Sequence, residues 1–136
     1  MACLVARSGR ELQRYDNLGR RQVVGCIPYR FKNCSDGSVG DELEVLVITS
    51  QKGQARGMMF PKGGWELDES VEEAASRESL EEAGVLGNVE QLDLWPEKNV
   101  RQRIWMAVDE AREVCRDWWM KEALDILAER HTSLQQ

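Results

Sequence analysis

The stretch from Gly63 to Val85, GGWELDESVEEAASRESLEEAGV, constrains what this chain can fold into more than any other. It opens on a turn of two glycines. Ser70 and Glu73 then have the Ser-x-x-Glu spacing of a capping box, which predicts a helix start. Gly84 supplies a left-handed residue to stop that helix. Between them lie Glu72, Glu73, Glu78, Glu81 and Glu82, with Arg77 as the one cation. A solvated helix normally mixes signs to gain i,i+4 pairs, whereas Glu78 and Glu82 form a like-charge i,i+4 pair. Val71, Ala75, Glu78 and Glu82 recur at helical spacing, with Ala74 bordering the row and Glu81 at its edge. The spacing therefore predicts carboxylates that continue an apolar, inward-facing row. Left unpaired they would be very costly, and a hard cation such as Mg²⁺, which prefers carboxylate oxygens, removes the difficulty. The competing reading of the same spacing is an acidic, solvated face.

The pattern Gly-x5-Glu-x7-Arg-Glu-U-x-Glu-Glu-x-Gly-U, with U a bulky aliphatic, is matched in register by Gly63, Glu69, Arg77, Glu78, Glu81, Glu82, Gly84 and Val85. In this the segment resembles the Nudix box; Ser79, where that box has an apolar residue, is the one departure. The resemblance extends to Arg14-Tyr15-Asp16, VVGCIPYR, FPKGGWELDESVEEAASRESLEEAGV and WPEKNVRQRIWMAVDEAREVCRDWWMKEAL. These look like the plant Nudix hydrolases, a branch related to the diphosphoinositol polyphosphate phosphohydrolases and the dinucleoside polyphosphate hydrolases. The resemblance implies an α/β fold, an α/β/α sandwich around a mixed sheet with the box helix against it. One departure concerns this fold. Such proteins have at least two strands and a loop after the box helix, whereas here Gly87-Asn88-Val89-Glu90 runs almost straight into the segment ending Trp95-Pro96. The expectation is an incomplete sandwich lacking a block near Glu90, as alternative splicing produces, with unpaired strand edges and exposed apolar surface. The alternative is a naturally compact variant.

What the resemblance implies chemically is Mg²⁺-dependent hydrolysis of a diphosphate linkage, with Mn²⁺ as the alternative ion. The substrate would be a nucleoside diphosphate derivative, a dinucleoside polyphosphate or a diphosphoinositol polyphosphate. Glu78 and Glu82 would hold the metal, Glu81 would hold a second ion or act as the base, and Arg77 would fix the glutamates by ion pairing. Glu69 would ligate or brace the loop, and the Lys62 carbonyl is a candidate metal ligand. Gly63 and Gly64 let backbone approach metal or phosphate. Arg14, Arg20, Arg21, Lys52 and Lys62 are candidate cations for a polyphosphate, since guanidinium groups match phosphate geometry; each competes with a solvated surface role. Two other classes of function stand beside the enzyme: a catalytically impaired variant acting as a ligand-binding or interaction protein, and a shortened chain that folds poorly.

With 136 residues the chain is read as one domain spanning residues 1–136. A net charge of −6 argues against a general affinity for nucleic acid or anionic membrane; it leaves room for the small-molecule polyphosphate partner that the resemblance implies, because cations can mediate. No apolar run reaches the length of a transmembrane helix, and the start lacks a secretory apolar region. Arg7, Arg10, Arg14, Arg20 and Arg21 are interrupted by Glu11 and Asp16, so a cytoplasmic location is expected, with nucleus and mitochondrion as alternatives. Cys3, Cys26, Cys34 and Cys115 lack zinc-ligand spacing; Cys26 and Cys115, in apolar runs, are expected as buried thiols of a reducing compartment. Nothing in the sequence indicates an oligomeric state.

Along the chain, residues 1–18 read as a polar, weakly structured arm. Gln22 to Phe31 is a β-rich run in which Pro28 demands an edge or a bulge. Asn33 to Asp41 reads as a loop, LEVLVITS (Leu43 to Ser50) as a core strand, Gln51 to Gly57 as a polar loop, and Met58 to Phe60 as a short strand ended by Pro61. Arg103 to Val108 reads as a strand. Asp109 is placed as the N-cap of a helical region with Val114, Trp118, Ala123, Leu124 and Leu127 on its apolar face, dividing near Cys115 to Asp117. Trp118 and Trp119 are expected as core and rim, and the tail from His131 as frayed.

Overall fold

The computed structural model describes residues 9–33, 39–51, 53–86 and 90–135. In chain order these form β1 (Val23–Gly25), β2 (Tyr29–Asn33), β3 (Val39–Ser50), β4 (Gly53–Met59), β5 (Lys62–Gly64), α1 (Val71–Ala83), β6 (Val85–Leu86), β7 (Glu90–Gln91), β8 (Arg103–Ala107), α2 (Val108–Val114) and α3 (Trp118–Gln135). The fold is α/β. The chain divides into two compact units, one of Met1–Cys26 with Pro61–Gln102 and one of Ile27–Phe60 with Arg103–Gln136.

The second unit is built on β3. Val45, Leu46, Val47 and Ile48 are completely buried, as a continuous apolar run of β-branched and aliphatic residues requires when both faces of a strand are covered. Val45 pairs with both Tyr29 of β2 and Met106 of β8, and Ile48 with both Met59 of β4 and Arg103 of β8. β8 therefore lies along one edge of β3, and β2 and β4 follow one another along the other. These ladders are antiparallel, and the isolated bridge between Met58 and Cys115, outside the named strands, is parallel. Val45, Val47, Met58 and Phe60 pack with Ala111 and Cys115 of the α2 segment and Met120 and Leu124 of α3. Each fully buried side chain of that kind contributes roughly 1.5–3 kcal/mol.

In the first unit β1 pairs antiparallel with β5, Val24 opposite Gly63, and β6 with β7. Its buried side chains include Glu66, Glu69, Glu78, Ser79, Glu81 and Glu82, an unusually acidic interior.

Several sequence expectations change. Residues 10–22 are not a loose arm: the Arg14 N–H donates to the Trp65 carbonyl at 2.9 Å, the Gln22 N–H to the Arg14 carbonyl at 2.9 Å, and Gln13 bridges to Glu66. Residues 1–8 lie outside the described ones. β3 begins at Val39, and the segment read as a polar loop forms most of β4, because a hairpin with Ser50 opposite Gly53 recruits polar residues into the ladder. Asp109 lies inside the first turn of α2, whose N-cap is Ala107 with no side-chain cap. Trp118 is 74% exposed, because Met120 and Leu124 carry the buried face of α3. That helix continues past His131, whose ring lies 5.3 Å from Phe31. Pro28 does interrupt the first β-run, separating β1 from β2, and α2 and α3 meet where the sequence divides them.

Candidate active site

The acidic segment folds as its end signals dictate. Ser70 is the N-cap in extended backbone. Its hydroxyl accepts from the Glu73 N–H at 3.1 Å, and the Glu73 carboxylate accepts from the Ser70 N–H at 3.1 Å, closing the capping box. Gly84 takes φ 67°, ψ 30° and ends the helix, a left-handed conformation that glycine adopts without penalty. The remaining end is closed from a distance. The Glu97 N–H donates to the Glu81 carbonyl at 3.0 Å and Trp95 Nε1 to the Glu82 carbonyl at 3.1 Å. These satisfy carbonyls that every helix C-terminus leaves without an intrahelical partner.

The buried face of α1 comprises Ala74, Glu78, Ser79, Glu81, Glu82 and Ala83. It is turned from the row read off the sequence, since Val71 is exposed and Ala74 takes the inward place. Ser79 fits this face because its hydroxyl meets the thiol of Cys26, a group that burial pushes above its ordinary range.

Two guanidinium groups organise the carboxylates. Arg77 Nε lies 2.6 Å from Glu69 Oε2 and its Nη2 3.0 Å from Glu69 Oε1, a bidentate fork. Nη1 reaches Glu78 at 2.9 Å and Glu81 at 3.4 Å, and Nη2 also donates to the Gly64 carbonyl at 2.8 Å. Burial opposes the charge of Arg77, but the bond to Glu69 and the charges of Glu78, Glu69 and Glu81 outweigh it and hold the group fully protonated. Arg101 bridges Glu82, at 3.3 Å, and Glu97, at 3.1 Å. The other oxygen of Glu82 accepts the Lys62 N–H at 2.9 Å.

In these ion pairs carboxylates outnumber guanidinium groups, and the electrostatics reflect it. Burial, outweighing the pull of Arg77, pushes Glu78 up to about 7, with Glu81 and Glu97 adding to the rise. Burial likewise pushes Glu82 up to about 7 against the opposing effects of Arg101 and the Lys62 N–H. Such groups carry a cost in the charged state that further positive charge relieves. The donors are carboxylate oxygens, which suit a hard divalent cation, so the residues present fit the ion inferred from the sequence. Among the described residues, Glu66, Asp68 and Glu69 also place oxygens within 4.8 Å of one another.

The structure gathers Glu69, Arg77, Glu78, Glu81 and Glu82 around β5 and α1. Gly63 lies so close to Glu78 that a Cβ there would overlap its carboxylate, and a Cβ at Gly64 would overlap the Gln13 side chain. Arg14 is engaged with the loop before α1, donating to the carbonyls of Glu66, Leu67 and Glu69 at 3.1–3.2 Å and stacking over Trp65. Arg20 pairs with Asp16 at 2.8 Å, and Arg21 donates to Gln13 at 3.3 Å, both on the surface. Lys52 lies outside the described residues. Glu97, Arg101 and Trp95 were not legible as site residues, because their segment has neither a helical nor a strand period. The Glu-x-x-x-Arg spacing of Glu97 and Arg101, compatible with one helical turn, is the one signal that points to them.

The NUDIX domain profile matches residues 19–130. The chain is 63% identical to the Arabidopsis thaliana protein named Nudix hydrolase 17, mitochondrial, over 161 residues, covering 98% of this chain and 87% of that one. It is equally 63% identical to Nudix hydrolase 18, mitochondrial, of the same plant, over 158 residues covering 96% and 88%. Among solved structures, a C. elegans Ap4A hydrolase superposes with a TM-score of 0.62 at 17% identity, covering 82% of this chain and 97% of that one.

Proposed function

The chain belongs to the Nudix family, hydrolases that act on pyrophosphate bonds, and from that premise we propose that it cleaves the diphosphate linkage of a small polyphosphate with the help of Mg²⁺. The observation that carries this reading is the buried cluster of Glu78, Glu81 and Glu82, fixed by Arg77 and Arg101. Glu78 and Glu82 would hold the ion, with Glu69 and the Lys62 carbonyl as further candidate ligands and Mn²⁺ as the alternative metal. When bound, such an ion polarises a phosphoryl oxygen and acidifies water.

The protein's own groups then have separable tasks. Water attacks phosphorus, the bridging P–O bond breaks, and the two phosphate products separate. Glu81 takes the proton of the attacking water, a role in which a positioned carboxylate contributes on the order of 10²–10⁴-fold. Arg77 prevents Glu69, Glu78 and Glu81 from moving apart, because its fork holds Glu69 on the loop and two glutamates on α1. Gly63 leaves room for Glu78 to lie against the backbone. Of the cations named from the sequence, Arg20, Arg21 and the Lys62 side chain are the candidates for the outer phosphates, with Arg14 turned to the loop carbonyls and Lys52 a further candidate.

We infer a dinucleoside polyphosphate or a diphosphoinositol polyphosphate as substrate. The first draws support from the name of the C. elegans neighbour, the second from the sequence resemblance alone. For the compartment, the names of the two Arabidopsis relatives favour testing the mitochondrion first, with the cytoplasm as the comparison; a fluorescent fusion separates the two.

The test is turnover of diadenosine polyphosphates and of a diphosphoinositol polyphosphate by the purified chain with Mg²⁺, beside Glu82→Gln. Product that disappears in the variant supports hydrolysis and identifies the substrate. No product above the variant's level on either class sinks it. A second reading, binding without turnover, is favoured by one observation. The alignment to Nudix hydrolase 17 runs over 161 residues although this chain has 136, so the relative contains internal residues with no counterpart here. That reading predicts stabilisation by the polyphosphate with no product.

A further inference from the structure

Arg101 lies outside the box helix, yet it is built into the acidic cluster. Its side chain is 8% exposed. Its backbone N–H donates to the Glu97 carbonyl at 3.0 Å, and the Glu97 N–H donates to the Glu81 carbonyl at 3.0 Å. One turn of chain therefore anchors this guanidinium to the last turn of α1 itself. From there Nη2 meets Glu82 Oε1 at 3.3 Å and Nε meets Glu97 Oε1 at 3.1 Å. Glu82 Oε2 accepts the Lys62 N–H at 2.9 Å, so donors engage both oxygens of Glu82. A cation arriving at Oε1 meets the positive charge of the guanidinium there and competes with it for that oxygen.

The contact of Arg77 with Glu69 is shorter than that of Arg101 with Glu82. Arg77 grips Glu69 through a fork whose shorter contact is 2.6 Å and also bonds the Gly64 carbonyl. The Arg101–Glu82 contact is longer, and Glu97 remains as a second anchor when it opens. A guanidinium cannot leave by losing its proton, because it stays charged throughout the working pH range. It must move.

We propose that Arg101 is the resident counter-ion of the metal site: it neutralises Glu82 while the site is empty of metal, competes with the divalent ion for that carboxylate, and so sets the metal affinity. The proposal rests on the reading of Glu82 as a metal ligand. It makes Arg101 a positioning residue that keeps the acidic cluster folded between metal-binding events and withdraws to Glu97 when the ion binds.

The experiment is Mn²⁺ binding by calorimetry to the intact chain and to Arg101→Gln, with thermal unfolding of both in chelator and in saturating Mn²⁺. Removing a buried like charge beside the ion should tighten Mn²⁺ binding on the order of tenfold or more. Arg101→Gln should melt lower than the parent in chelator, and the gap should close with Mn²⁺. Equal or weaker binding by the variant, with an unchanged melting gap, would overturn the proposal and leave Arg101 a packing residue. If neither protein binds Mn²⁺, the metal-ligand reading of Glu82 fails, and the proposal falls with it. A measurement on the unaltered chain covers the case in which the variant does not fold. Nitrogen-15 spectra of the arginine side chains during a Mg²⁺ titration should show the Arg101 guanidinium signal shift as it leaves Glu82 for Glu97, while the Arg77 signal stays put. An Arg101 signal that does not respond to saturating Mg²⁺ overturns the proposal.

Discussion

The Glu78 carboxylate rests against the Cα of Gly63, leaving no space for a side chain there. Glu78 cannot easily yield, because Arg77 holds it at 2.9 Å and it is buried. Gly63→Ala should therefore destabilise the chain by about 1–3 kcal/mol, the range for forcing an extra carbon into packed structure. Gly64→Ala meets a different neighbour, the side chain of Gln13. Its defect should be relieved by adding Gln13→Ala, whereas adding that change to Gly63→Ala should relieve nothing. Urea unfolding of the four variants checks both statements.

Arg77 joins the loop before α1 to the helix through Glu69, Glu78, Glu81 and the Gly64 carbonyl. Arg77→Met leaves those carboxylates buried without their cation and should cost about 3–5 kcal/mol. Arg77→Lys restores the charge but not the planar fork, so it should recover part of the stability and little of the activity. Equal stability of the two variants, read as urea midpoints at matched slopes, would show that charge alone contributes nothing there and that the planar fork carries the effect.

The box helix was legible because its information is local. A capping box, a stop glycine and a like-charge pair on an inward face are each set by residues a few positions apart, and the structure reproduces each. The β3 core run was legible for the same reason. What the sequence did not disclose depends on long-range pairing. The 10–22 segment looks like a polar arm until its backbone meets Trp65 and Glu66. β4 looks like a loop until Ser50 pairs with Gly53. Arg14 reads from the sequence as a candidate phosphate ligand, and the contacts of its Nε and Nη2 with the carbonyls of residues 66, 67 and 69 are visible only in the fold. Arg101 and Glu97 sit in a stretch with no period at all, and only the folding back of that stretch onto α1 places them.

Stability should depend on pH in a way opposite to that of an ordinary acidic protein. Burial raises Glu78 and Glu82 from 4.5 to about 7. Between those values the folded chain keeps protons that the unfolded chain has released, so the contribution is fully present below about 4.5 and is lost as pH rises through about 7. In chelator the melting temperature should fall from about pH 5 to about pH 7.5. Mg²⁺ needs the deprotonated carboxylates, so its stabilising effect should grow across the same window. Glu82→Gln should flatten both trends. A melting temperature that rises with pH in chelator would show that these two glutamates are not buried as described.

Trp95 supplies a different kind of support. Its indole N–H caps the Glu82 carbonyl at 3.1 Å, in the last turn of the helix that carries the acidic cluster. Trp95→Phe keeps the ring and removes the donor, so that carbonyl loses its partner. The net cost should be about 0.5–1.5 kcal/mol, the contribution of one hydrogen bond, and it should appear locally as faster amide exchange at Gly84 and at the C-terminal end of α1. Ser70→Ala, at the opposite end, should cost about 0.5–2 kcal/mol and speed exchange at Glu73 instead. If Trp95 fixes the turn that carries Glu97 and Arg101, Trp95→Phe should also change Mn²⁺ affinity, and Ser70→Ala should not. Equal effects of the two variants on metal binding would mean that the segment from Trp95 to Arg101 holds its place without the indole bond.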